Sequence, residues 1–131
     1  RMKKRENEIG INHLPWMNWT DWMYELSKCK YAVQIGTGAA GSFNLSCAYL
    51  GIPCIGLKAL ETQNLCFPDL SIDEVDLKKG KELILKLKND SSFYKEQSKK
   101  CQINYKKHFD EQIFLRTFKQ IFNKYYTLKY P

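Results

Sequence analysis

Large apolar residues recur at Trp16, Trp19, Trp22, Met23 and Leu26, spacings of three and four that predict an amphipathic helix over residues 16–26. It opens after Pro15, with Asn18 or Thr20 as its cap. The period then changes. Tyr31-Ala32-Val33-Gln34-Ile35 is an apolar run without a charge that ends at Gly36, as expected of a buried strand in a parallel sheet. A turn of glycines and small residues, Gly36 to Ser42, follows it. Helical spacing returns over Phe43 to Leu50 and stops at Gly51-Ile52-Pro53, and Cys54-Ile55-Gly56-Leu57 is a second buried-strand candidate. Lys58 to Leu70 reads as a loop. Beyond it, Asp73 or Asp76 caps a helix with Leu77, Ile84 and Leu87 on its apolar face. Ser91 or Ser92 begins another, with Tyr94, Cys101, Tyr105 and Phe109 on one side, and Asp110 caps a third carrying Phe114, Phe118, Ile121 and Tyr125. These aromatic stripes are expected to be core.

The order helix, strand, glycine turn, helix, strand is a βαβ unit. The predicted class is therefore α/β: a Rossmann-like three-layer α/β/α arrangement with a short parallel sheet and C-terminal helices. One domain is expected over residues 1–131, with a βαβ core over 14–75 and closing helices over 76–131. Composition agrees, since a chain of 131 residues with 44% hydrophobic and 14% aromatic content can offset its ordering entropy by burial. The longest stretch without a charge, Tyr31 to Leu57, carries five glycines, Pro53 and several polar residues, so it is not expected to span a membrane. The basic opening Arg1-Met2-Lys3-Lys4-Arg5 leads into Glu6-Asn7-Glu8, so no secretory leader is expected there.

The net charge of +7 is unevenly spread. Residues 6–77 hold three basic and nine acidic side chains, whereas residues 78–131 hold fourteen basic and five acidic ones. The lysines of the second part fall opposite the apolar faces and read as solvated helix surface, which makes nucleic acid an unexpected partner. Cys29, Cys47, Cys54, Cys66 and Cys101 are odd in number and show no ligand spacing. They read as small apolar fillers, with neither a disulfide framework nor a metal site. His13 and His108 lie far apart without a nucleophile beside them and read as surface residues. Trp16, Trp19 and Trp22 are expected to cover the sheet.

Candidate chemistry sits in the glycine turn. Gly36, Gly38 and Gly41 fit G-x-G-x-x-G between a strand and a helix, where backbone N–H groups and the positive helix end can approach a phosphate. A dinucleotide-binding module of an NAD(P)-dependent oxidoreductase would expect an acidic residue at the end of the second strand; here that place holds Lys58, and Glu61 follows in the loop. A P-loop is excluded because no Lys-Ser or Lys-Thr follows the glycines. Ser42 opens the helix as a potential N-cap whose hydroxyl also reaches toward a phosphate.

Gly36 to Ser42, then Ser46-Cys47-Ala48-Tyr49-Leu50-Gly51-Ile52-Pro53-Cys54-Ile55-Gly56, then Glu61-Thr62-Gln63-Asn64, resembles the nucleotide-sugar-binding C-terminal domain of GT-B fold glycosyltransferases. Such domains carry a small-residue loop, a helix ending in an A-x-x-G-[VI]-P turn, a short buried strand and a polar loop with a D-Q-like pair. Gln63, 12 residues after Gly51, has the spacing of the sugar-contacting glutamine in inverting members. The resemblance covers roughly residues 16–122. It departs at two places: the paired glutamates of retaining members fall on Gly38 and Ser46, and the D-Q pair becomes Thr62-Gln63.

What the resemblance implies is a glycosyltransferase domain that binds a nucleotide-sugar donor as substrate, with no cofactor and no metal. The donor diphosphate would face Gly36, Thr37, Gly38, Ala39, Ala40, Gly41 and Ser42, while Asn44, Glu61, Gln63 and Asn64 would contact ribose or sugar hydroxyls, with Ser46, Asn44 or Glu61 a substitute for the absent ribose carboxylate. No catalytic residue is assigned. A GT-B enzyme has two Rossmann-like domains, so this chain would be the C-terminal piece of a longer protein, inactive without the N-terminal domain that holds the acceptor site. A cytoplasmic location is expected, with peripheral contact to an anionic membrane on its inner face.

Overall fold

The computed structural model describes residues 2–36, 41–74 and 76–129. Three strands, β1 (Ala32–Gln34), β2 (Cys54–Leu57) and β3 (Ser71–Ile72), form one parallel sheet in the order β1-β2-β3. Ala32 pairs with Cys54, Val33 with Ile55 and Gln34 with Gly56; Gly56 and Leu57 pair onward with Ser71 and Ile72. Helices α1 (Met2–Glu8) and α2 (Trp19–Ser27) precede the sheet, α3 (Ser42–Leu50) links β1 to β2, and α4 (Glu61–Cys66) with a 3-10 turn at Pro68–Leu70 links β2 to β3. Three helices follow: α5 (Leu77–Asn89), α6 (Ser91–His108) and α7 (Glu111–Lys129).

The α/β class with a short parallel sheet is thus observed, and the layout is compatible with a Rossmann-like arrangement. The register sorts the sheet into two faces. Val33, Ile35, Ile55 and Ile72 look toward Leu77, Gly80 and Ile84 of α5. Cys54 and Gly56 look the other way, toward Asn44 of α3 and Gln63 of α4. α6 then packs over α3 and α4. The core draws on both parts of the chain, from Leu26 through Cys47, Ile55 and Phe67 to Leu83, Leu87 and Cys101.

Local chemistry explains most boundaries. Asn18 accepts the Asp21 N–H at 2.9 Å and so starts α2 at Trp19, three residues later than the apolar spacing alone predicts. Asp76 and Asp90 do the same for α5 and α6 through Lys79 N–H (3.0 Å) and Phe93 N–H (2.9 Å). Asp110 accepts the Gln112 N–H at 2.9 Å at the start of α7. Gly51, at φ +72°, is the left-handed residue that ends α3.

Several expectations are corrected. Lys58 to Leu70 is not a loop throughout; α4 escapes the apolar pattern because one of its two buried positions is a glutamine, Gln63, the other being Cys66. The opening segment is helical as α1. β1 is not buried on both faces: Val33 and, just past the strand, Ile35 are 41% and 49% exposed, β1 lying at the edge of the sheet among the described residues. Of the three tryptophans only Trp22 turns inward, meeting Phe43 edge to face at 5.9 Å, while Trp16 and Trp19 stand in solvent. Cys29 is exposed, unlike the other four cysteines. The α7 stripe is not core, since no residue of α7 is buried.

Candidate functional site

In parallel strands every C-terminal end lies on the same edge of the sheet, and ligands of open α/β sheets bind there. β1 leaves this edge through Gly36 and re-enters as α3 at Ser42, while β2 leaves through Lys58 and re-enters as α4 at Glu61. The two connections meet. Gly41 has φ +83°, and a Cβ built on it would lie 2.5 Å from Thr62 Oγ1 and 3.1 Å from Thr62 Cγ2. Glycine is therefore required at 41 twice over, by the left-handed backbone and by the close approach of α4. The Thr62 hydroxyl is shut away beneath this contact, with no hydrogen-bond partner among the described residues. In the sequence Thr62 stands out only as the residue in the first place of the D-Q-like pair; its contact with Gly41 comes from the three-dimensional proximity of the two turns.

Thr37, Gly38, Ala39 and Ala40, the middle of the glycine turn, lie outside the described residues. Gly36 is exposed and Gly41 is buried. Gly41, not Ser42, occupies the N-cap position of α3, which corrects the cap assignment: glycine offers no side-chain acceptor, and Ser42 is the first, exposed residue of the helix. The start of α3 is thus uncapped by its own cap residue, and α4 likewise starts from Leu60 without a side-chain cap. Glu61 and Asn64 are exposed on α4. The Asn64 amide donates to the Lys58 carbonyl, closing the turn after β2. Lys58 itself points to Asp73, with Nζ 3.4 Å from the carboxylate.

Asn44 and Gln63 behave differently from a surface pair. Both are fully buried, at 0% exposure. Asn44 Nδ2 donates to Gln63 Oε1 at 2.6 Å, and Gln63 Nε2 donates to the carbonyls of Cys54 at 2.9 Å and Leu70 at 3.4 Å. β3 is only two residues long, so it does not reach back to pair with Cys54; the Gln63 amide ties β2 to the segment before β3 in its place. Gly56 makes room, because a Cβ there would fall 2.6 Å from Gln63 Cδ. Gln63 is thus a structural tie under the edge, its amide engaged inside the protein. Asn44 Oδ1 has no hydrogen-bond partner among the described residues. Ser46, whose hydroxyl donates to the Ser42 carbonyl at 2.9 Å, lines a separate groove of about 230 Å³ with Trp19, Met23, Leu45, Tyr49 and Tyr105.

The cysteine beneath the site is not poised as a nucleophile. A hydrogen bond with Cys47, followed by burial, pushes the Cys54 thiol well above its ordinary range. Burial raises Cys66 to about 11 and Cys101 to about 12. His13 pairs with Glu6 at 2.7 Å and His108 packs beside Phe109, both remote in sequence from the turn. Among the described residues no three His, Cys, Asp or Glu side chains gather as a metal site, and no helix is long and apolar enough to cross a membrane.

Comparison of the chain with protein-family models, curated proteins and solved structures returns no match. What can be said of the site rests on its own geometry: two helix starts without side-chain caps, brought together by Gly41 and Thr62, with exposed Ser42, Glu61 and Asn64 beside them.

Proposed function

We propose that this edge binds a nucleotide-sugar donor and that the chain acts as the C-terminal donor domain of a GT-B type glycosyltransferase. The contact of Gly41 with Thr62 at the C-terminal edge of a parallel βαβ unit carries the reading, because it joins the glycine turn to the loop after β2. Backbone N–H groups at the start of α3 would meet the diphosphate, and the positive end of that helix would stabilise charge on the departing nucleoside diphosphate. Ser42 would add a hydroxyl to the phosphate, and Glu61 and Asn64 would hydrogen-bond ribose or sugar hydroxyls. Asn44, expected at the sugar from its place at the start of the helix, and Gln63, expected there from its spacing, would hold the floor of the site in shape instead. The acceptor site and any catalytic base would come from another domain of the same protein.

Calorimetric titration of the chain with UDP, GDP, ADP and NADPH tests this. A nucleoside diphosphate should bind, and the double variant Glu61→Ala/Asn64→Ala should weaken binding of the matching nucleotide sugar about tenfold or more without lowering the melting temperature. Tight NADPH binding with no response to any nucleoside diphosphate would overturn the reading in favour of a dinucleotide module.

A further inference from the structure

α7 is a 19-residue helix, about 28 Å long, and none of its residues is buried. Its apolar side chains are nonetheless ordered by position. At about 100° per residue, Phe114, Phe118, Ile121, Phe122, Tyr125 and Leu128 fall on one arc roughly 120° wide. All six are more than half exposed, and the phenylalanine rings 114, 118 and 122 stack on one another at 6.2 and 6.4 Å along it. In proteins most helical stability comes from packing of an amphipathic face, not from propensity. A continuous aromatic face of this kind is an interaction surface.

The charges on the same helix select what covers it. Arg116, Lys119, Lys124 and Lys129 are its basic residues and Glu111 its only acid, a net +3. Lys119 and Lys124 project on either side of the apolar arc. A second copy of the helix laid face to face would set these like charges against one another, whereas a coiled-coil partner calls for opposite charges at the flanks. The stripe is also rich in rings and broader than an a/d seam. We propose that α7 is an interfacial helix that lies in the plane of an anionic lipid surface, with the aromatic arc in the acyl boundary and the flanking lysines against the headgroups. The donor-site reading uses no residue of α7.

Co-sedimentation of the full chain with vesicles of phosphatidylglycerol and phosphatidylcholine, and of phosphatidylcholine alone, tests it. Binding is expected to the anionic vesicles, at least about tenfold tighter than to the neutral ones and weakened by salt. Phe118→Ser/Phe122→Ser and Lys119→Glu/Lys124→Glu should each lower binding by about tenfold or more, with the thermal transition unchanged because no buried contact is touched. Absence of binding to anionic vesicles overturns the proposal. So does binding that the Phe118/Phe122 variant retains, which would assign the attraction to the lysines of α5 and α6. Concentration-dependent dimerisation abolished by that variant overturns it as well, since the face would then belong to a second copy.

Discussion

Replacement of Gln63 by leucine separates a structural glutamine from a ligand-binding one. The substitution keeps the side chain's bulk and removes one acceptor and two donors. Asn44 Nδ2 then loses its 2.6 Å partner and keeps only a 3.8 Å approach to Cys54 Sγ, and the Cys54 carbonyl loses its 2.9 Å donor. The 3.4 Å contact with Leu70 is long enough to matter less. Taking about 2 kcal/mol for each of the two short bonds whose partner stays buried, and subtracting about 1 kcal/mol for a side chain with no hydration of its own to shed, leaves a loss of about 3 kcal/mol. For a chain of this size that lowers the melting temperature by about 10 °C. Urea unfolding followed by far-ultraviolet circular dichroism measures it, with an unchanged slope showing that the native state is otherwise intact. A loss below about 1 kcal/mol, combined with lost nucleotide-sugar affinity, would refute the structural role and return Gln63 to the sugar. Gln63→Glu extends the test. Its carboxylate would face two carbonyl oxygens in a buried site, so its folded pKa lies above the unfolded value near about 4.3. The folded state then holds more protons, and the variant's stability falls relative to the parent as pH rises from about 4 toward 8.

The remaining predictions concern neighbouring features. Gly41→Ala should cost about 2–3 kcal/mol from left-handed backbone strain and the 2.5 Å approach to Thr62 Oγ1; adding Thr62→Ala removes the clash alone, so a denaturation cycle should recover about half, and additive losses would refute the contact. A thiol reagent at pH 7.5 should modify one cysteine rapidly in the native chain, exposed Cys29, and the other four only on unfolding; two or more fast thiols would contradict the packing. Hydrogen bonds from Lys100 (2.5 Å) and Gln97 (3.1 Å) hold the Asp69 carboxyl below its ordinary range. Its stabilisation is complete above the unfolded value near about 3.9 and fades as pH falls through the folded one, so the stability gap between parent and Asp69→Asn should be constant near neutrality and close below about pH 4. The gap should stay under about 1 kcal/mol because both charged partners are more than a third exposed; a gap that widens in acid would refute the assignment.

The central βαβ unit was readable because its signals are local and strong. The bounds of β2 coincide with the uncharged run Cys54 to Leu57, and Gly51 ends α3 where its left-handed geometry is needed. Asn18, Asp76 and Asp110 cap through short side chains that announce themselves in sequence. What was unreadable depends on distant partners. Gln63 looks like a surface polar residue until the carbonyls of Cys54 and Leu70 and the amide of Asn44 are placed around it. β3 is too short to show any alternation. The stripes of α6 and α7 look alike on paper, yet Cys101 is buried against Ala48 and the α7 rings are not, because burial depends on what faces a helix and periodicity shows only that it has a face.

The open flank of β1 bears on how these molecules behave toward one another. Val33 lies on β1 and Ile35 just past it, the outer edge of β1 is unpaired among the described residues, and no charge or proline interrupts the run from Tyr31 to Ile35. Natural edge strands are commonly guarded by such residues. The net charge of +7 is instead expected to oppose approach of one copy to another. Salt that screens the helix lysines is therefore expected to weaken that repulsion, so the same ions that loosen contacts made by charge should favour edge-to-edge approach of copies of the chain.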